Sequence, residues 1–191
     1  MPRPLTLDIQ DVGPQAHDMA LSRMCGYCRQ PGAMFDAVGD APACCVLCHL
    51  ARHLERPRID EEAVLIWLPE MDQRILNLIC REMHIELRAV QEALHDDAPP
   101  RGDSPGLARL HHARRALRRR AEPAAVRLGT DRPSELGEAL RSLPRTVRSR
   151  QAMLLGGLRL LPRGRFFACD EDVYPPVVDA WRSAVSNAGV T

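Results

Sequence analysis

From Cys45 onward the apolar positions recur at helical spacing. Val46, Leu47, Leu50 and Leu54 fall on one face, and Pro57 marks an end. The pattern then changes. "AVLIWL" (Ala63 to Leu68) is an unbroken apolar run with β-branched members, which predicts a strand. "PEMDQRILNLICREMHIELRAVQEALHDD" is the clearest helix of the chain. Pro69 suits its first turn, and Glu70 and Asp72 sit where the positive end of the helix dipole favours acids. Ile75, Leu78, Ile79, Met83, Leu87, Val90 and Leu94 make one stripe, expected to face the core. Near the start, "PLTLDI" (Pro4 to Ile9) alternates and predicts a short edge strand.

"DDAPPRGDSPG" (Asp96 to Gly106) has the composition of a linker. Residues 98–106 are taken as the connection between a cysteine-bearing region, 1–97, and a helical region, 107–191. The second region opens on a strongly basic helix, Leu107 to Glu122, with Leu110, Ala113 and Leu117 as its few apolar positions. A short helix follows from Pro133 to Leu140, then another from Thr146 to Leu161, which Pro162 ends. "PPVVDAWRSAVSNAG" (Pro175 to Gly189) reads as a terminal helix with Val177, Val178, Trp181 and Val185 facing inward. The expected fold is mostly α with a few short strands near the cysteines, an α+β class.

Composition narrows the picture. The 191 residues are 45% hydrophobic, which excludes a disordered chain, and only 4% aromatic, so the core must be aliphatic. No run approaches the roughly 20 apolar residues that span a bilayer. The first twenty residues hold Asp8, Asp11 and Asp18 and no apolar segment, so a secretory signal is not expected. The seven cysteines are odd in number and clustered, which fits a reducing compartment, and the protein is expected to be cytoplasmic. All 26 basic residues are arginine, as a GC-rich genome would give. The net charge is only +1, but residues 55–103 carry six arginines against twelve acids, and residues 106–165 carry fifteen against four. The two stretches can pair with each other or with partners of opposite sign.

Five cysteines lie in "CGYCRQPGAMFDAVGDAPACCVLCHLARH" (Cys25 to His53). Cys25-x-x-Cys28 and Cys45-x-x-Cys48, sixteen residues apart, match the spacing of a structural Zn2+ site. A C-x-x-C turn brings two thiolates to one tetrahedral ion, Gly26 eases the first turn, and the second pair opens a helix as in treble-clef folds. Ligation by four thiolates leaves no position for water, so such a site holds structure and activates no nucleophile. A cluster of free thiols or a redox pair is the alternative. Cys44 can replace Cys45, because Cys44-x-x-x-Cys48 is also helical spacing; Cys45 is preferred for the matching x-x pair. His49 and His53, one turn apart, read as solvated or capping residues before ligands, Cys80 as core, and Cys169 as no metal site despite the neighbouring acids.

Two C-x-x-C pairs around a hairpin are also the frame of HNH endonucleases, which need a general-base His and further metal ligands. Between Cys28 and Cys45 there is no His and no Asn; only Asp36 and Asp40 are available. No catalysis is expected.

"CGYC…ACCVLCHLARHLE", "VLIWLPEMDQRILNLICREM" and "GLRLLPRGRFF…VVDAWR", in this order, resemble the IcmJ/DotN family, components of the Dot/Icm type IVB secretion system. The doubled cysteine in "CCVLC" and the junction Leu68 to Glu70 are the most specific parts. The resemblance implies an HNH-like zinc fold without nuclease activity. It also implies an adaptor subunit of the coupling complex, binding the C-terminal segment of the coupling ATPase beside other secretion adaptors at the cytoplasmic face of the inner membrane. It carries the four zinc ligands onto Cys25, Cys28, Cys45 and Cys48. The loop between the cysteine pairs is short for the family, and the segment before Cys25 is abbreviated.

Two surfaces compete as the partner site. Trp67 could anchor a peptide against the strand, since aromatic and Arg residues dominate interface hot spots. In "ARLHHARRALRRR" (Ala108 to Arg120), Arg114, Arg115, Arg118 and Arg119 could hold an acidic segment. The same helix could neutralise phosphates, which gives the alternative function, a degenerate HNH-type zinc protein binding nucleic acid of mobile elements. Its plainest reading is a solvated face paired with the acidic stretch.

Overall fold

The computed structural model describes residues 5–9, 20–35, 42–96, 98–102, 104–148 and 150–188. It is an α+β fold in which helices dominate. A hairpin of β1 (Ala20–Met24) and β2 (Pro31–Phe35) is joined on the β2 side by the two-residue β3 (Cys44–Cys45), all antiparallel. The chain then runs through α1 (Val46–Arg52), α2 (Ile59–Glu62), β4 (Ala63–Trp67) and α3 (Gln73–Ala89). Next come α4 (Pro105–Arg119), α5 (Ala121–Leu128), α6 (Pro133–Ser142), α7 (Arg145–Arg148) and α8 (Gln151–Leu154). Last are β5 (Leu158–Pro162), the hairpin β6 (Phe167–Ala168) and β7 (Glu171–Asp172), and α9 (Tyr174–Ala188).

The centre is a two-stranded antiparallel sheet of β4 and β5, in register from Ala63↔Pro162 to Trp67↔Leu158. The two regions expected on either side of a linker share this sheet. Ordinarily a two-stranded ribbon leaves both edges open. Here each edge is closed by other means. On the β4 side, Leu65 N–H donates to the Asp131 carbonyl and Trp67 N–H to that of Arg120, both at 2.9 Å. On the β5 side, the buried Gln73 amide takes the place of a neighbouring strand. Its Nε2 donates to the Leu160 carbonyl at 2.8 Å, and its Oε1 accepts from Leu160 N at 2.7 Å.

β5 corrects the sequence reading, which placed a helix through Leu161. The helical turn α8 stops before Gly156, and Gly157 has φ +89 with its open side against the Trp67 ring, a place no side chain fits. Strand pairing then wins for Leu158 to Pro162 because its partner β4 lies far away in sequence and is invisible to local periodicity. "PLTLDI" is also corrected. Leu7 and Ile9 are buried as the alternation predicts, but 5–9 is no strand of a sheet; Asp8 instead exchanges backbone hydrogen bonds with Ala51 and Leu54 at the end of α1.

α3 forms as expected but begins later than the Pro69 signal implies. Asp72 is its N-cap, accepting from Ile75 N at 2.7 Å, so Pro69 and Glu70 precede the helix. The predicted apolar stripe is borne out only in part: Met83, Leu87 and, past the end of the helix, Leu94 are buried and Leu78 is half-buried. Ile75, Ile79 and Val90 are exposed, while Leu76, Cys80, Met83 and Leu87 face inward together with Gln73, Asn77, Arg81 and His84. Gln73, Asn77 and His84 find distant partners, such as His84 Nδ1 and the Tyr174 hydroxyl at 2.7 Å, while Arg81 reaches Gln30 through Nη1 and its Nε and Nη2 have no hydrogen-bond partner among the described residues. α9 packs on α3 through that contact and through the Arg88–Asp179 pair, with distances of 2.9 and 2.6 Å. Val177, Val178 and Trp181 of α9 are buried as predicted; the Val185 side chain lies outside the described residues.

The basic helix ends at Arg119, and α5 starts a new one at Ala121. No helix among the described residues is long and apolar enough to cross a membrane.

Candidate metal centre

Three pieces of backbone assemble the cysteines. The first is the turn after β1. Cys25 N–H donates to the Gln30 carbonyl and Arg29 N–H to the Cys25 carbonyl, each at 3.0 Å, and Arg29 takes φ +62 to close the turn. The second is β3, set against β2 by the pairs Met34↔Cys45 and Phe35↔Cys44. The third is the first turn of α1, with Cys45 as N-cap in an extended conformation and Cys48 three residues on.

Gly26 matters for a reason other than a positive φ. It donates its N–H to the Ala43 carbonyl at 2.9 Å, and a Cβ there would collide with the Pro42 ring. Only a glycine lets the turn and the segment entering β3 approach this closely.

The Sγ atoms of Cys25, Cys28, Cys45 and Cys48 all lie within 4.8 Å of one another, and all four residues are buried. Cys28 and Cys45 are 3.6 Å apart at sulfur. A tetrahedral ion with metal–sulfur bonds of about 2.3 Å separates its ligands by about 3.8 Å, so the quartet has the size of one such ion. Hydrogen bonds from the thiols of Cys28, Cys45 and Cys48 hold the Cys25 thiol far below its ordinary range. Its sulfur also accepts backbone N–H bonds from Tyr27 at 3.4 Å and from Cys28 and Cys45 at 3.5 Å. Cys45 and Cys48 are pushed the other way, first by hydrogen bonding to Cys25. Four buried thiolates this close repel one another strongly. A divalent cation removes that conflict, and the donor set suits one. All four residues named from the C-x-x-C spacing therefore meet at one point.

Cys44 stays out of the quartet. Its Sγ lies 3.9 Å from His49 Nδ1, and burial pushes its thiol up to about 12. His49 is buried, not solvated: its ring stacks on His53 at 4.0 Å between centroids, and Arg56 Nη1 lies 3.4 Å from its Nε2. His53 is held by Glu55 at 2.7 Å. Cys80 is a core residue, its thiol also pushed up to about 12 by burial, and Cys169 is exposed. Asp36 and Asp40 lie outside the described residues. Asn77 is the site residue that hydrophobic patterning misses; its Nδ2 donates to Cys48 Sγ at 3.6 Å, and Gln73 Nε2 holds its oxygen at 2.9 Å. The available signal is a pair of amides at i, i+4, the only amide side chains of α3.

The predicted partner residues fall in different settings. Arg114 points inward, donating to the Ala93 carbonyl at 3.3 Å. Arg118 lies between Asp96 at 3.5 Å and Asp131 at 3.6 Å. Arg115 and Arg119 are exposed. Trp67 is half-buried, with the Arg127 guanidinium 4.3 Å over its ring. The chain matches no family model, and no curated protein matches it.

Proposed function

We propose that this chain is a non-catalytic adaptor subunit of a type IVB secretion coupling complex. It is built on an HNH-like, treble-clef motif in which Cys25, Cys28, Cys45 and Cys48 hold one structural Zn2+. The observation that carries the reading is the closed thiolate quartet: four buried sulfurs satisfy a tetrahedral ion and leave no position for a reactive water. A tetrahedral set of four thiolates suits zinc or iron, and zinc, which has no redox chemistry, is the ion that a purely structural site calls for. The knuckle, hairpin and helix that deliver the cysteines are the parts of a treble clef.

The adaptor role rests on the resemblance of the three sequence blocks, which meet in one core. α1 from the first packs on α3 from the second, and β4 of the second pairs with β5 of the third. The coupling ATPase C-terminal segment is then the partner to test, with the protein held at the cytoplasmic face of the inner membrane by its partners. The nucleic-acid alternative fits less well. Arg114 is turned inward, Arg118 lies between two acids, and Arg120 is paired with Glu70 at 2.6 Å. Three arginines of the basic run are thus already engaged within the molecule.

The test is calorimetric titration of the zinc-loaded protein with the isolated C-terminal segment of the coupling ATPase, beside a salt series with duplex DNA. Saturable binding of the segment, with weak DNA binding that disappears at moderate salt, supports the adaptor. Tight DNA binding with no affinity for the segment overturns it.

A further inference from the structure

Gln73 and Asn77 stand one turn apart on α3, and both are buried, at 3% and 2% exposure. They lie between the edge of the central sheet and the thiolate quartet. At one end, Leu160 of β5 offers Gln73 both a carbonyl and an N–H. At the other, Asn77 Nδ2 lies 3.6 Å from Cys48 Sγ.

This chain of hydrogen bonds has one polarity. A backbone N–H can only donate and a backbone carbonyl can only accept. Leu160 therefore turns the Gln73 amide with Oε1 toward its N–H, at 2.7 Å, and Nε2 toward its carbonyl, at 2.8 Å. The second N–H of Nε2 reaches Asn77, which must answer with its oxygen and does so at 2.9 Å. That leaves Nδ2 of Asn77 facing Cys48. A flipped Asn77 would set N–H against N–H at Gln73 and a carbonyl oxygen against the sulfur. The backbone of β5 thus dictates which end of the amide faces the metal centre.

The sulfurs obtain their nitrogen donors in different ways. Cys25 Sγ accepts backbone N–H bonds from Tyr27, Cys28 and Cys45, all within its own turn and the facing strand. Cys48, fully buried in the first turn of α1, receives its donor from the Asn77 side chain.

We propose that Asn77 is a positioning residue for the metal: its N–H, aimed by Gln73, fixes Cys48 as an acceptor and raises the affinity of the site. Four thiolates around one divalent ion leave a net negative charge in a buried space. An N–H donated to a sulfur spreads that charge and favours the thiolate over the thiol, and loss of such an outer partner costs about 10–100-fold in metal affinity. The inference rests on the metal-centre reading and is independent of the secretion role.

Asn77→Asp tests the donor alone. Aspartate keeps the shape and still accepts from Gln73, but it presents an oxygen to Cys48 where the amide presents N–H. Zinc affinity, read by competition with a chromophoric chelator, should fall by about tenfold or more. In cobalt-substituted Asn77→Leu, the sulfur-to-metal charge-transfer band should move to longer wavelength, because a sulfur without its hydrogen bond gives up an electron more readily. Met83→Ala, buried further along α3, should leave that band in place. Native protein loaded with NMR-active cadmium needs no variant. A scalar coupling from the metal to an Asn77 side-chain amide proton is expected across the hydrogen bond, beside couplings to the backbone amide protons that face Cys25. Coupling at those backbone amides without coupling at Asn77 overturns the role of Asn77 and leaves the four-sulfur site standing. Unchanged affinity and band in both Asn77 variants does the same, as does an equal band shift in Met83→Ala, which marks a general loosening of the core. A protein that takes up no metal overturns the metal-centre reading and this inference with it.

Discussion

Glu62→Ala should be among the most damaging single substitutions outside the metal centre. Glu62 is fully buried at the end of α2. Its Oε2 accepts from Arg56 Nε at 2.7 Å, and its Oε1 accepts from Arg56 Nη2 at 2.6 Å and from Phe167 N at 2.7 Å. Arg56, itself buried, also donates to the Phe167 carbonyl at 2.8 Å and lies 4.0 Å over the Phe166 ring. Removing the carboxylate strands a charged guanidinium and a backbone amide at once. Breaking a buried pair in this way costs about 3–5 kcal/mol, and the orphaned amide places the cost toward the upper end. For a chain of this length that is a fall in Tm of about 6–20 °C. The double variant Arg56→Met/Glu62→Leu removes both charges and should cost less than Glu62→Ala alone, giving a coupling energy of about 2 kcal/mol or more. Urea titration followed by helical circular dichroism, at constant zinc, reads Glu62→Ala, the double variant and its two single components. A loss below about 1 kcal/mol for Glu62→Ala, or additive effects of Arg56→Met and Glu62→Leu, refutes the reasoning.

Cys45→Ser should lose the metal on purification, whereas Cys44→Ser should retain one equivalent by elemental analysis; the reverse would exchange their roles. Gly26→Ala should raise the zinc dissociation constant by about tenfold or more in a competition with a chromophoric chelator, because the new methyl group forces the turn away from Pro42; unchanged affinity would show that the clamp is dispensable. His84 supplies an acid sensitivity. Burial first, and then the charge of Arg114, lowers its pKa to about 3. The unfolded chain therefore binds the proton that the folded chain refuses between about pH 6.5 and pH 3, and stability falls as pH drops. From pH 6.5 to pH 5 the loss is about 2 kcal/mol, and His84→Leu should remove that part of the dependence; an identical pH slope in the variant would contradict it.

What is readable in the sequence, and what is not, follows from the range of the interactions. The four thiols announce themselves because both C-x-x-C pairs are local turns, and spacing alone already favours Cys45 over Cys44. β4, α1 and α9 are visible because their burial follows simple periodicity. The inward face of α3 is not, since Gln73, Asn77, Arg81 and His84 look like solvent-facing residues until their partners at Leu160, Cys48, Gln30 and Tyr174 are in place. β5 is hidden for the same reason: Leu158 to Pro162 becomes a strand only beside β4. Arg114 shows the limit of charge patterning, because a basic run reads as one face although the helix turns one of its arginines into the protein.

The closed thiolate site is tested most directly by X-ray absorption at the zinc K-edge on zinc-loaded protein. The account predicts one zinc per chain with four sulfur neighbours at about 2.3 Å and no lighter ligand. A nitrogen or oxygen neighbour at about 2.0–2.1 Å in place of a sulfur would show an open or mixed site and contradict the purely structural role.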